Sequence, residues 1–264
     1  MNESLQASAL RIRLVNFVCQ TQAGYRTYLR FKHGVSTPRS RPVLRWQNTT
    51  LKSRLEVDQA WAEARTLGLV AHRDRPKNWD ALSALAVVLD QTDTSSHVLD
   101  AGAEYYSSFL PNLYVYGYRN LVGLNLAFDR VVHRGPIRYE PGDLTRTRFG
   151  PDSFAAIACL SVIEHGVDLD GYFKEMFRLL KPGGILITST DYWPQPLPTD
   201  SVTAYGCPVK VFTEAEICSA LQLAQRHGLE LTGPVDLVAQ EKAVRWESIG
   251  LDFTCVTFCL RKRM

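Results

Sequence analysis

The residues best suited to do chemistry stand at the ends of short apolar runs. Asp100-Ala-Gly102-Ala103 closes the run His97-Val-Leu, and Asn125 closes Leu121-Val-Gly-Leu. Gly142-Asp143-Leu144 follows Ile137 to Glu140, Ser161 to His165 follows Phe154 to Leu160, and Asp191-Tyr-Trp193 follows Ile185 to Thr190. A glycine at such a point lets the backbone approach a bound group with no Cβ in the way. An imidazole titrates near ~6.5 when unperturbed, so His165 leads the candidates for moving a proton near neutrality. Glu164 is its rival, and Asp191 is a further acid. The aromatic pair Tyr192-Trp193 beside Asp191 suits stacking on a sugar ring with hydrogen bonds to its hydroxyls, while the competing reading packs Trp193 under the proline-rich residues 194–198. That loop, running on through Tyr205 to Cys207-Pro208, has the length of a lid. Asp168 and Asp170 lack histidine partners at ligand spacing, so they read as solvated or helix-capping residues and no metal site is expected.

The elements that must position these residues alternate. Apolar residues at three- and four-residue steps from Leu51 to about Val70, and from Asn78 (an N-cap candidate) to Leu89, predict two helices. The run from Phe154 to Leu160 is apolar throughout, as a parallel strand covered on both faces must be. Tyr172 to Leu180 predicts a helix, ended by Lys181-Pro-Gly-Gly184 because proline cannot continue it and the glycines permit positive φ. Thr213-Glu-Ala-Glu216 is a capping box opening a helix to about Arg226. Leu229 to Thr232 and Phe253 to Leu260 predict the last two strands. Residues 34–50 read as loop or extended chain. The pattern predicts an α/β fold: a Rossmann-like, doubly wound, mostly parallel sheet with helices on both faces, its ligands held beyond the carboxyl ends of the strands.

Composition narrows the class. The 264 residues are 45% apolar and 22% charged, which excludes a disordered chain and admits one large α/β domain with an extension. No apolar run reaches the ~20 residues of a membrane span, and Leu14 to Cys19 is too short for a secretory leader. Six cysteines without a C-x-x-C pair suit reduced, structural thiols and a cytoplasmic location. The net charge of +3 conceals an asymmetry: residues 1–60 carry ten Lys/Arg against three acids, whereas residues 97–264 carry sixteen against nineteen. The basic segment, with Arg26, Arg30, Lys32, Arg39, Arg41 and Arg45 among aromatics, could meet phosphates or face a partner, but it matches no nucleic-acid module.

In order and spacing, Val98-Leu-Asp100-Ala-Gly102, Gly142-Asp-Leu144, Phe154 through His165, and Phe173 through Gly184-Ile-Leu-Ile resemble the motif series of class I S-adenosylmethionine-dependent methyltransferases. The resemblance covers about residues 97–190, and Tyr172 to Trp193 looks like a bacterial subgroup akin to methyltransferase type 11. It implies an antiparallel C-terminal strand, a methyltransferase domain over 77–264 and a basic, helix-containing extension over 1–76. It implies S-adenosyl-L-methionine as cofactor, with Asp100, Gly102 and Ala103 at its amino-acid end and Asn125 at the ribose. Asp143 and Leu144 would lie by the adenine, and Ser161 by the methylthio group. His165, Glu164 and Asp191 would face the acceptor. Three positions depart from the family pattern: Glu104 and Tyr106 stand where it has glycines, and Asn125 stands where it has an acid. Glu104 is expected to turn away from the cofactor carboxylate. The favoured function is O-methylation of a small molecule or glycan. The alternatives are a catalytically inactive binding or scaffold protein and, less favoured, a nucleic-acid methyltransferase. Oligomeric state is not legible.

Overall fold

The computed structural model describes residues 15–38, 40–199, 203–204, 207–247 and 249–264. Arg39 and Tyr205, named above in the basic segment and the lid, lie outside them, as does the start of the Leu14 run. The elements in chain order are α1 (Gln22–His33), β1 (Thr49–Thr50), α2 (Arg54–Thr66), α3 (Lys77–Gln91), β2 (His97–Ala101), α4 (Phe109–Val115), β3 (Asn120–Asn125), β4 (Val132–Arg134), β5 (Ile137–Pro141) and β6 (Phe154–Leu160). Then come α5 (Leu169–Leu179), β7 (Leu180–Tyr192), β8 (Thr203–Ala204), β9 (Cys207–Pro208), α6 (Glu214–Arg226), β10 (Leu229–Leu231), β11 (Val244–Trp246) and β12 (Leu251–Lys262).

One sheet runs in the order β1-β12-β7-β6-β2-β3-β5-β4. Its five central strands are parallel, and β12 lies antiparallel against β7 from Thr254↔Tyr192 to Arg261↔Ile185. Short antiparallel strands close both margins: β1, β10 and β11 pair β12, and β4 pairs β5. The chain leaves β2 toward β3 and β5, then returns to β6 on β2's other side. That reversal opens a crevice at the carboxyl ends of β2 and β6.

Alternation along the strands sorts the core into two layers. Val98, Ala156 and Ile185 join the helices α1 to α4 on one face. Leu99, Ile157 and Leu186 join α5 and α6 on the other. A residue period of two in the strands therefore covers both faces with helices. α3 is buried almost all round, including Asn78, Trp79 and Asp80, because it lies between the sheet and α2.

Several boundaries differ from the sequence pattern. Asn78 does not cap α3, which begins one residue earlier after Pro76. Its side chain instead donates to the carbonyls of His72 and Arg75 and accepts from His72 N–H, tying the preceding loop together. Lys181-Pro-Gly-Gly184 is not a plain helix stop. β7 already pairs at Leu180↔Phe154 and resumes at Ile185↔Ala156, so the four residues form a bulge within the strand. α1 and α4 lie outside the helices expected from the sequence, and β1 sits in the stretch read as loop. The capping box forms as expected, with Thr213 and Glu216 bonding reciprocally. Cys159, Cys255 and Cys259 are buried free thiols.

Candidate active site

The crevice is built from the ends of three parallel strands and the first turn of α3. At the end of β2, Asp100 is only 4% exposed, and no described residue hydrogen-bonds its carboxyl. Burial, with Asp80 and Glu104 nearby, pushes its pKa up to about 7. A buried carboxyl without a donor is costly in its charged form.

Gly102 follows at φ +99°, a conformation that disfavours any residue with a Cβ. A Cβ there would stand 2.3 Å from Val162 Cγ2. The N–H groups of Gly102 and Ala103 both donate to Leu124 O, and that of Glu104 donates to Ser107 Oγ. The backbone of this turn is thus engaged internally.

Asn125, at the end of β3, is likewise spoken for. Its Nδ2 donates to Ala103 O (2.8 Å) and Glu104 Oε1 (3.3 Å), and its Oδ1 accepts from Ala127 N–H at 2.8 Å. It braces the β2–α4 loop against β3. Glu104 turns toward Asn125, and burial raises its pKa. The carboxylate missing from the end of β3 is thereby brought there from the neighbouring loop. Changing Asn125 to aspartate would remove both donors and set two carboxylates together, so N125D is expected to cost about 2 kcal/mol of stability. Urea denaturation of N125D against the parent checks this.

Asp143 is exposed and its Oδ1 accepts from Thr145 N–H and Oγ, while Leu144 is buried behind it. Ser161 sits at φ +53°, a strained value for a non-glycine residue. The conformation is held because its N–H donates to Ser189 and its hydroxyl donates to Asp80 Oδ2 (3.2 Å). Ser189 Oγ donates to the same oxygen at 2.8 Å.

Glu164 is buried and accepts from Thr190 Oγ at 3.0 Å. Asp191 is buried and lies 3.9 Å from Cys255 Sγ, its cross-strand neighbour on β12. Burial raises the pKa of both acids, opposed by the ammonium of Lys77. His165 is partly buried, and desolvation lowers its pKa, partly offset by Asp191. Lys77 opens α3, and its charge is favoured by Asp191, Asp80 and Glu164 against the cost of its own burial. The crevice therefore gathers Asp80, Glu164 and Asp191 around the Lys77 ammonium, with Asp100 beside Asp80.

One expectation changes. Tyr192 and Trp193 do not form an aromatic pair beside Asp191: Tyr192 is fully buried with its hydroxyl donating to Leu237 O (2.8 Å), because successive strand residues point to opposite faces. Trp193 packs at the edge of the other core layer, with Lys242 Nζ 5.0 Å from its ring centre. Asp168 caps α5 through the N–H groups of Asp170 and Gly171, and Asp170 meets His227. Sequence reasoning overlooked Lys77 and Asp80. The available signal was a Lys and an Asp three residues apart opening an otherwise apolar helix.

Residues 100–188 match a family model described as a methyltransferase domain. Sterol 24-C-methyltransferase erg6 of Aspergillus fumigatus is 27% identical over 116 residues, 42% of this chain and 31% of the relative. The sterol 24-C-methyltransferase of Yarrowia lipolytica is 27% identical over 146 residues, 48% of this chain and 38% of the relative. The chain thus spans well under half the length of these curated relatives. Among solved structures, Haemonchus contortus phosphoethanolamine N-methyltransferase 2 in complex with S-adenosyl-L-methionine aligns with a TM-score of 0.53 at 14% identity, covering 91% of this chain and 60% of that one. The [4+2]-cyclase SpnF aligns at 0.51 and 13% identity, covering 86% of this chain and all of that one. These structural likenesses concern the fold. Fold and crevice share the Rossmann-like architecture of these structures, and the match to the methyltransferase-domain model covers residues 100–188, about a third of the chain.

Proposed function

We propose that the chain is a methyltransferase that binds S-adenosyl-L-methionine in the crevice and methylates an oxygen of a small molecule or glycan. The observation that carries the reading is Asp100: a buried carboxyl at the reversal of the sheet, lacking any hydrogen-bond donor among the described residues. The cofactor's ammonium is the kind of group that would complete it, and the excess of acids over Lys77 suits a ligand bearing positive charge. When bound, the cofactor supplies an electrophilic methyl group on a sulfonium.

The chain's own residues then divide the work. Glu104, aided by Asn125, is the acceptor for the ribose hydroxyls. Gly102 and Ala103 shape the floor of the crevice, with Ser161 beside them, and Asp143 and Leu144 flank the adenine. His165, neutral at pH 7 because its pKa is lowered, takes the acceptor's proton. Glu164 and Asp191 hold the charge that develops on it.

The test is a titration with S-adenosylmethionine and S-adenosylhomocysteine, followed by calorimetry and thermal unfolding. At a ligand concentration about 100 times Kd, stabilisation of about 2.7 kcal/mol is expected. Affinity should weaken as pH falls below about 7, because the ligand's ammonium favours the ionised form of Asp100. E104Q should bind about tenfold more weakly, the worth of one charge-assisted hydrogen bond. No stabilisation by either ligand would end this reading.

A second reading has its own support. Val162 stands against Gly102 and the loop N–H groups are engaged, features that also suit a domain retained for binding without methyl transfer. Fold alone does not decide between them, since the SpnF structure is described as a [4+2]-cyclase.

A further inference from the structure

The basic N-terminal segment plays no part in the crevice, yet part of it is organised. A cavity of about 410 Å³ lies between α1, residues 35–37 and the end of α4. Arg26 and Arg30 line it from one face of α1, four residues apart, and Arg119 lines it from the turn before β3. Ser36, Thr37 and Tyr114 complete its polar wall, and no acid among the described residues lines it. We propose that this cavity binds a phosphoryl group.

Three features support that chemistry. Arg119 is fixed in place: its Nη1 donates to Tyr114 O (3.1 Å) and Tyr118 O (2.8 Å), and its guanidinium stacks 4.7 Å from the Tyr114 ring centre. Its other N–H groups stay available, and a guanidinium fork matches phosphate oxygens in pairs. Arg26 and Arg30 make no ion pair with a described residue, so among these residues their mutual repulsion has no acidic counterweight. Two carbonyls in the last turns of α1 are engaged within the protein: Leu29 O and Arg30 O accept from the N–H groups of Val35 and Gly34.

The site is separate from the crevice. Arg119 precedes the amino end of β3 and Asn125 ends it, and six strand residues span about 17 Å. A phosphoryl group held at Arg119 therefore anchors a ligand or surface and does not take part in proton or methyl transfer.

The phosphoryl group could belong to a soluble monoester or to a lipid headgroup, and the test separates them. The full chain is titrated at constant ionic strength with inorganic phosphate, with glycerol 3-phosphate, and with phosphatidylcholine vesicles containing phosphatidic acid. Saturable binding is expected to at least one probe, weakened tenfold or more in R26A/R30A. R26K/R30K should recover only part of it, since lysine keeps the charge but not the fork. Binding to the vesicles alone would assign the group to a lipid. Because Arg26 and Arg30 are exposed and unpaired, R26A/R30A should fold with an unchanged melting temperature, and its affinity for S-adenosylhomocysteine should equal the parent's. Absence of saturable binding to all three probes, or equal binding by R26A/R30A, would overturn the proposal whether or not the crevice binds its cofactor.

Discussion

Replacing Gly102 by alanine should destabilise the protein by about 3 kcal/mol, the sum of a left-handed backbone penalty of ~1–2 kcal/mol and a clash of similar size. The backbone stands at φ +99°, and the added Cβ would sit 2.3 Å from Val162 Cγ2 and 3.2 Å from Val162 Cβ. Valine is stiff about χ1 and follows the strained Ser161, so it cannot swing clear at low cost. A melting temperature lower by roughly 6–12 °C is the expected readout. The double variant G102A/V162A separates the two contributions: removing the valine methyls should recover the clash but not the backbone strain. If G102A melts with the parent, the turn is looser than described and Gly102 is not required by packing.

The second large effect belongs to Lys77. Its ammonium offsets Asp191, Asp80 and Glu164, and K77M would leave those acids around an apolar side chain. Removing one side of such a buried charge set costs ~3–5 kcal/mol. Because Lys77 is partly exposed, about 2–3 kcal/mol is expected at pH 8.5. The sign of the pH dependence follows from the acids. Asp100, Glu164 and Asp191 have folded pKa values raised above their unfolded values, so the folded state holds more protons and stability falls as pH rises. For Asp100 that fall begins near ~4, the unfolded value, and levels off above about 7. Without Lys77 the folded pKa values of Glu164 and Asp191 move further up and the decline steepens. At pH 5.5, where these acids hold their protons, K77M should cost little. Urea denaturation of parent and variant at pH 5.5 and 8.5 measures the difference, and an equal cost at both pH values would refute the electrostatic account of this cluster.

Both effects sit at the carboxyl ends of β2, β6 and β7, where a doubly wound sheet holds its ligands, and both concern residues that the fold holds at some expense. Strained Ser161, donor-free Asp100 and the acid cluster are what a site prepared for a charged ligand looks like. No helix among the described residues is long and apolar enough to cross a membrane.

What the sequence by itself determined was the alternating frame and the address of the site. The apolar runs ending at Asp100, Asn125, Leu160 and Thr190 announced parallel strands because only residues buried on both faces can be apolar without a break. The capping box at Thr213 was legible because its two hydrogen bonds are local. Tertiary structure decided what each site residue faces. Asn125 became a loop brace, Glu104 moved into the place of the missing strand-end acid, and Tyr192 turned into the core away from Asp191. It also brought Lys77 and Asp80 over the crevice from a helix with no family motif. These outcomes depend on pairing register and on contacts across 20 to more than 100 residues of chain. Local spacing carries no information about partners that only folding brings together.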